Sequence, residues 1–152
     1  LGARGVVLAL QEVAHRQPDI RLGAVVLLAP DMDFGIFQRI LPRIAPIARS
    51  LTVYIAAGDR PLAVSAQLHG YARLGETGND VASLAGVEVI DLSDLPGVGP
   101  TGHLYHIYSR DVGRDLDQLL NGGLAAAARR NLVQTGPNTW RMQPSEGGAL
   151  RP

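Results

Sequence analysis

The chain has 152 residues, of which 46% are hydrophobic, and this is enough for one domain with an apolar core. Its 14 basic residues, all arginine, balance 14 acidic ones, so a net charge of zero gives no electrostatic indication of nucleic-acid binding. The absence of cysteine excludes disulfides and thiolate sites within these residues, and the absence of lysine excludes Schiff-base chemistry there.

The first element that the sequence predicts is an amphipathic helix over residues 5–16, which ends before the helix-breaking Pro18. Its apolar positions have helical spacing and would form one buried stripe: Val6, Val7, Leu10, Val13 and Ala14. No apolar run in the chain approaches the ~20 residues of a membrane-spanning helix. We therefore expect no membrane span.

Three apolar segments predict β-strands, at residues 23–30, 51–57 and 86–92. The first is continuously apolar rather than alternating, which is typical of a parallel strand buried on both faces. Between the first two strands an apolar helical pattern is interrupted by Pro42 and Pro46, which favours two short helices or one kinked helix.

Helical patterns also follow the second and third strands. Residues 60–69 predict a helix with Pro61 in its first turn. A later helix carries Leu116 and Leu119, with Ser109 or Asp111 as its cap and the glycine pair 122–123 at its end.

The C-terminal part of the chain is predicted to contain a helix but no strand. Residues 124–132, rich in Ala and Arg, predict a further helix, and the polar residues from Gln134 onward predict little structure. Trp140 is interpreted as a packing anchor. We therefore expect a first part over residues 1–121 and a C-terminal helix with a polar tail over residues 122–152.

Strand–helix alternation predicts an α/β fold with about three parallel strands flanked by helices. Ligands of such sheets gather at the carboxyl ends of the strands. The acidic residues that follow the three predicted strands are Asp31 and Asp33, then Asp59, then Asp91 and Asp94. A Gly/Pro-rich loop after the last strand leads to His103.

A carboxylate after one strand and an imidazole after the last are two members of a Ser–acid–His triad. The serine of such a triad precedes the acid at a strand-to-helix turn. The first serine in this chain is Ser50, at a predicted helix end, so these residues supply no nucleophile in that position.

Several segments resemble an α/β-hydrolase family of unknown function within the bacterial esterase/lipase superfamily. They occur in the family's order along the chain: Leu-Gly-Ala-Arg-Gly-Val (1–6), Ala-Pro-Asp-Met-Asp-Phe (29–34), Thr-Val-Tyr-Ile-Ala-Ala-Gly-Asp-Arg-Pro-Leu (52–62), His-Gly-Tyr-Ala-Arg-Leu-Gly (69–75), Val-Ile-Asp (89–91) and Gly-His-Leu-Tyr (102–105). The chain departs from the family pattern at Pro61 and Leu104.

The resemblance implies the C-terminal half of an α/β-hydrolase fold, beginning just after the nucleophile serine. It implies that His103 is the general base, that Asp59 is the triad acid and that the backbone N–H of Leu1 belongs to the oxyanion hole. The implied substrate is a small ester-like molecule, with neither a metal nor an organic cofactor. This chain alone is then expected to be inactive.

Alternatives stay open at this point. Asp31 or Asp33 could be the triad acid, since both also follow a strand. The chain could instead be a non-catalytic hydrolase-like domain used for binding or assembly, with a partner chain on its exposed sheet edge. A flavodoxin-like ligand-binding domain would explain the alternation but not Asp59 and His103 together. The oligomeric state is not indicated.

Overall fold

In a computed structural model of the chain, the described residues are 2–56, 70–96 and 109–145. They form a five-stranded sheet in the order β1-β2-β3-β5-β4, in which only β4 runs antiparallel to its neighbour. The strands are β1 (Leu22–Leu28), β2 (Ala48–Ile55), β3 (Glu88–Asp91), β4 (Leu132–Gln134) and β5 (Thr139–Met142). The predicted α/β class is confirmed, and β1, β2 and β3 correspond to the three predicted strands.

One face of the sheet packs against the first two helices. Helix α1 (Gly2–Arg16) buries Val7 completely, and α2 (Phe34–Ile44) buries four apolar residues that include Phe37 and Ile44. These residues meet Leu27 and other strand side chains in one hydrophobic cluster. We call this side the apolar face.

The proline pattern after β1 has a specific structural outcome. Pro42 lies inside the last turn of α2, and Pro46 lies in a 3-10 turn, Ala45–Ile47, that continues directly from it. The predicted interruption is therefore a change of helix type rather than a break between two separate helices. Ile47 is buried at the end of this turn, immediately before β2.

The opposite face packs against helix α3 (Arg110–Leu120). Ser109 is its N-cap and accepts a hydrogen bond from the backbone N–H of Asp111 at 3.2 Å, so the first of the two predicted caps is confirmed. After the helix, Gly123 has a φ of 64°, a left-handed conformation that glycine adopts without strain. We call this side the α3 face.

The helix predicted over residues 124–132 is wrong. This segment contains a short 3-10 turn, Ala126–Ala128, and then enters β4. The N–H of Ala126 donates to Oε2 of Glu88 at 2.8 Å, and Nε of Arg129 donates to Oδ1 of Asp115 at 2.9 Å. These long-range polar contacts hold the segment on the sheet and override the local helix propensity of its alanines.

The expectation of little structure after Gln134 is also wrong, and the sheet therefore has more than three strands. β4 and β5 form a hairpin, and β5 pairs in parallel with β3. Trp140 and Met142 alternate with exposed Arg141 and are buried against the α3 face, which confirms Trp140 as a packing anchor. Nδ2 of Asn138 donates to three carbonyl oxygens in residues 81–87 and so attaches the hairpin turn to the loop before β3.

The helix predicted over residues 60–69 lies outside the described residues. Within the described ranges, no helix has the length and apolar character needed to cross a membrane.

Candidate functional site

The carboxyl ends of β1, β2 and β3 meet at one edge of the sheet, which we call the carboxyl edge. Leu28 of β1 is the register partner of Tyr54 in β2, and Ile55 of β2 is the partner of Asp91 in β3. Neighbouring strands lie about 4.8 Å apart, so chain segments that leave the sheet here begin side by side. This edge is where parallel sheets bind ligands.

The turn after β1 is a tight bend in the backbone. Ala29 has a φ of 43°, which is rare for a residue with a side chain, and its N–H donates to the Tyr54 carbonyl at 2.9 Å. Asp31, two residues later, forms an ion pair with Arg73, with 3.1 Å between Oδ1 and Nε. Both side chains are partly exposed at the carboxyl edge.

Asp33, the other acidic residue after β1, caps a helix. Its Oδ1 accepts a hydrogen bond from the backbone N–H of Ile36 at 2.8 Å, at the first turn of α2. This is the usual role of aspartate at an N-cap, where the carboxylate satisfies a free helix N–H.

Residues 72–76 lie across the ends of β1 and β2. The N–H of Gly75 donates to the Pro30 carbonyl at 2.9 Å, and the N–H of Ala56 donates to the Gly75 carbonyl at 3.0 Å. A Cβ on Gly75 would lie 2.5 Å from the carbonyl carbon of Ala29, so only glycine allows this approach. The Arg73 ion pair and the Gly75 contact were not predicted, although both residues lie in a segment that resembles the family.

The end of β3 carries a second polar group. Oδ1 of Asp91 accepts hydrogen bonds from the N–H and the hydroxyl of Ser93. Arg141 lies beside Asp91 in the adjacent β5, with 3.6 Å from Nη2 to Oδ2 of Asp91 and 3.8 Å from Nε to Oδ2 of Asp94. Sequence reasoning missed Arg141, because its segment was predicted to be a polar tail; the alternation of apolar Trp140 and Met142 around it was the available signal.

The three residues predicted to form the catalytic site, Leu1, Asp59 and His103, lie outside the described residues. Asp59 falls in residues 57–69, which follow β2, and His103 falls in residues 97–108, which follow the loop after β3. Their mutual placement therefore stays a prediction. In the ranges that the structure does describe, no three acidic or histidine side chains are grouped so as to hold a metal ion.

A cluster of buried ionisable side chains lies on the α3 face, which we call the α3-face polar cluster. The Tyr54 hydroxyl donates to Oδ2 of Asp115 at 2.5 Å, Arg129 donates to Oδ1 of the same carboxylate, and Arg129 Nη1 lies 3.9 Å from Glu88. Burial raises the pKa of Asp115 above its usual value, against the opposing effects of Tyr54 and Arg129. Burial and the hydrogen bond to Asp115 raise the pKa of Tyr54, so its hydroxyl keeps the proton that it donates.

This cluster links β2, β3, α3 and the segment after α3. Arg129 and Asp115 are only 4% and 2% exposed, which leaves no room for a substrate atom beside them. The cluster is therefore a packing feature, and the candidate site is the carboxyl edge.

Comparison with protein families gives a match over most of the chain. The model of a family described as "Alpha/beta hydrolase of unknown function (DUF900)" matches residues 1–121. This match confirms the resemblance seen in the sequence. No curated protein and no solved structure matches the chain.

Proposed function

Because the chain belongs to this family of α/β-hydrolases, we propose that it supplies the acid and the base of a serine hydrolase that cleaves a small ester-like substrate. His103 is the general base, Asp59 orients it and stabilises its cation, and the N–H of Leu1 is one donor of the oxyanion hole. The nucleophile is a serine immediately before Leu1, which is not among these 152 residues.

The observation that carries this proposal is the register of the two strands that precede Asp59 and His103. Ile55 and Asp91 are direct partners in neighbouring parallel strands, so both segments leave the sheet at the carboxyl edge. Asp59 follows the last described residue after β2, Ala56, by three positions, a span of at most about 11 Å. Approach of the two side chains is therefore compatible with the chain geometry.

The structure also gives the competing carboxylates other partners. Asp33 is engaged as the N-cap of α2, and Asp31 is paired with Arg73. A triad acid must direct an oxygen toward the imidazole N–H, and a carboxylate engaged elsewhere is poorly placed for this. These contacts favour Asp59 as the acid.

The position of α1 supports the role given to Leu1. The helix ends at Arg16, shortly before β1 begins at Leu22, so the two elements run in opposite directions. With 15 residues the helix is about 22 Å long, close to the roughly 23 Å of the seven residues of β1. A helix of this length that runs back along β1 would begin level with the carboxyl edge, where the positive end of its dipole would stabilise an oxyanion.

The reaction then follows acyl-transfer chemistry. The serine oxygen attacks the ester carbonyl while His103 accepts the serine proton, and the carbonyl oxygen becomes an oxyanion held by backbone N–H groups. His103 returns the proton to the departing alcohol, which leaves an acyl-enzyme. Water, deprotonated by the same imidazole, releases the acid and restores the serine.

The absence of cysteine makes the proposed geometry testable by cross-linking. Three double variants place cysteine at His103 and at one candidate acid each: Asp59→Cys, Asp31→Cys or Asp33→Cys. We expect a short bis-maleimide reagent to cross-link the 59/103 pair fastest within one chain, as measured by mass spectrometry. Faster reaction of the 31/103 or 33/103 pair would transfer the acid role, and no intramolecular cross-link would overturn the proposal.

Activity provides the second test. The chain by itself should not react with a fluorophosphonate probe, and labelling of it would contradict the proposed position of the nucleophile. In a chain extended upstream through the serine, His103→Ala and Asp59→Ala should each reduce kcat for ester hydrolysis by at least about 10³-fold. Arg43→Ala, an exposed change on α2, is the matched control and should leave kcat unchanged.

A non-catalytic role in assembly is the second candidate, and the open side of β1 favours it. In the described part of the chain β1 pairs only with β2, and α1 beside it leaves Val6 and Leu8 47% and 49% exposed. An open strand edge with exposed apolar residues favours association with another chain. Light scattering that shows a stable dimer, together with ester hydrolysis that His103→Ala leaves intact, would favour this alternative.

A further inference from the structure

An open pocket of about 800 Å³ lies along the outer surface of α3, away from the buried side of the helix. Arg110 and Arg114 of α3 and Arg130 of the following segment line it, together with Asp117, Gln118 and Leu124. We call it the α3 pocket. Its volume is within the usual range for small-molecule sites, which is about 300–1,000 Å³.

The three arginines of the α3 pocket are exposed and form no ion pair with any carboxylate in the described part of the chain. In residues 2–56, 70–96 and 109–145, none of the three guanidinium groups lies within 4.0 Å of a carboxylate, whereas Arg73, Arg129 and Arg141 all do. The pocket thus holds three cations and one carboxylate, Asp117, in a protein whose formal net charge is zero. The positive charge of the pocket is therefore a local feature, because the chain as a whole has no excess of basic residues.

The positions of these arginines are fixed by the fold. Arg110 and Arg114 are one helical turn apart, about 6 Å along the axis, and so lie on the same side of α3. Gln118 continues this row and accepts a hydrogen bond from the backbone N–H of Arg130 at 2.9 Å. Its Nε2 donates to the Arg114 carbonyl at 3.3 Å, so one side chain connects the two segments that carry the arginines.

We propose that the α3 pocket binds a small soluble ligand that carries two or more phosphate groups. Guanidinium groups bind phosphate oxygens in pairs of parallel hydrogen bonds, and three arginines that line one pocket can bind more than one phosphate. The volume of the pocket suits a small molecule, and Leu124 provides an apolar contact for a non-polar part of the ligand. None of its lining residues is among those described at the carboxyl edge, and the proposal does not depend on the proposed hydrolase activity.

The test is calorimetric titration of the chain with inorganic triphosphate, at low and at physiological ionic strength. We expect saturable binding that weakens as salt increases. Arg114→Gln and Arg130→Gln should each weaken it about fivefold, and the double variant by more than tenfold, since exposed charge pairs contribute up to about 1 kcal/mol each. Arg43→Gln is the matched control, because Arg43 is also exposed and forms no ion pair within the described residues but lies on α2. The affinity of this variant for triphosphate should stay within about twofold of that of the wild type.

Three outcomes would overturn the proposal. The first is no saturable binding of triphosphate at low ionic strength. The second is an equal loss of affinity in Arg43→Gln, which would indicate nonspecific attraction. The third is arginine-dependent sedimentation with phosphatidic acid vesicles without any binding of triphosphate, which would assign the pocket to a membrane surface. Circular dichroism of each variant confirms that the fold is retained.

Discussion

The two faces of the sheet are buried by different kinds of contact. On the apolar face, α1 and α2 cover the strands with aliphatic and aromatic side chains alone, such as Phe37, Ile40 and Ile44. On the α3 face, Asp115 and Arg129 are as deeply buried as those apolar residues. The comparison shows that the apolar face is held by hydrophobic contacts, whereas the α3 face combines a hydrophobic cluster with charge-assisted hydrogen bonds between distant parts of the chain.

The difference has an energetic consequence. When a buried apolar side chain is replaced by a shorter one, part of its transfer free energy is lost, and the neighbouring side chains can partly fill the space. A buried charge that loses its partner stays in a medium of low polarity, where its desolvation is no longer compensated. Single changes on the α3 face should therefore destabilise the protein more than single changes of similar size on the apolar face.

The largest effect is expected from Arg129→Met. It leaves Asp115 buried without its cation and should lower the free energy of unfolding by about 3–5 kcal/mol. Urea denaturation followed by circular dichroism measures this. The triple variant Tyr54→Phe, Asp115→Leu and Arg129→Met should recover most of the loss, because it removes the three deeply buried members of the α3-face polar cluster and leaves only Glu88, whose side chain is 25% exposed. A loss below about 1 kcal/mol in Arg129→Met would show that the buried pair is not what holds this face.

A smaller effect is expected from Tyr54→Phe. This change keeps the aromatic ring near the carboxyl end of β2 but removes the hydroxyl that donates to Asp115. Because one oxygen of a buried carboxylate then lacks its donor, the free energy of unfolding should fall by about 1–3 kcal/mol. Thr52→Val, at another buried position of β2, is a control in which no hydrogen bond to the α3-face polar cluster is lost. Equal losses in the two variants would contradict a specific role for the tyrosine hydroxyl.

On the apolar face we expect a smaller loss still. Ile44, which is 1% exposed, becomes one methylene shorter in Ile44→Val, and the free energy of unfolding should fall by about 1 kcal/mol. The same denaturation experiment measures it. A loss as large as that of Arg129→Met would remove the distinction between the two faces.

The smallest expected effect is a dependence of stability on pH. Burial raises the pKa of Asp115 above its usual 3.8, so the folded state binds a proton more tightly than the unfolded state does. Stability from this group is then fully present below pH 3.8 and is lost as the pH rises through the raised value. The free energy of unfolding of the wild type, relative to that of the triple variant, should therefore fall as the pH rises from below 3.8 to above the raised pKa of Asp115. A difference between the two proteins that does not change with pH would contradict the raised pKa.

The sequence predicted β1, β2 and α2, because the residues that indicate each of these elements lie within the element itself. The apolar residues of β1 and β2 and the proline pattern of α2 all stand in short stretches of sequence, and the structure has these elements close to the predicted bounds. Ser109 was one of two predicted caps for α3, and the structure assigns the cap to it. Of the acidic residues predicted after the strands, Asp31, Asp91 and Asp94 lie at the carboxyl edge and Asp33 is a helix cap, whereas Asp59 lies outside the described residues.

The C-terminal segment could not be predicted in the same way. The strand β5 has four residues, and only Trp140 and Met142 face the core, which is too short a pattern to distinguish from a loop. Arg129 has no local signal for burial, since arginine is usually exposed. It is buried because Asp115, fourteen positions earlier, and Glu88 in another strand provide its counter-charges.

The sequence by itself determined the alternation of helices and strands, the family, and the polar residues that follow each strand. It could do so because periodicity and turn residues act over a few neighbouring positions. Only the tertiary structure decided that the last residues complete the sheet and that Arg141 joins Asp91 at the carboxyl edge. Those outcomes depend on contacts between residues far apart in the chain, whose free energies exceed the local preferences of the segments involved.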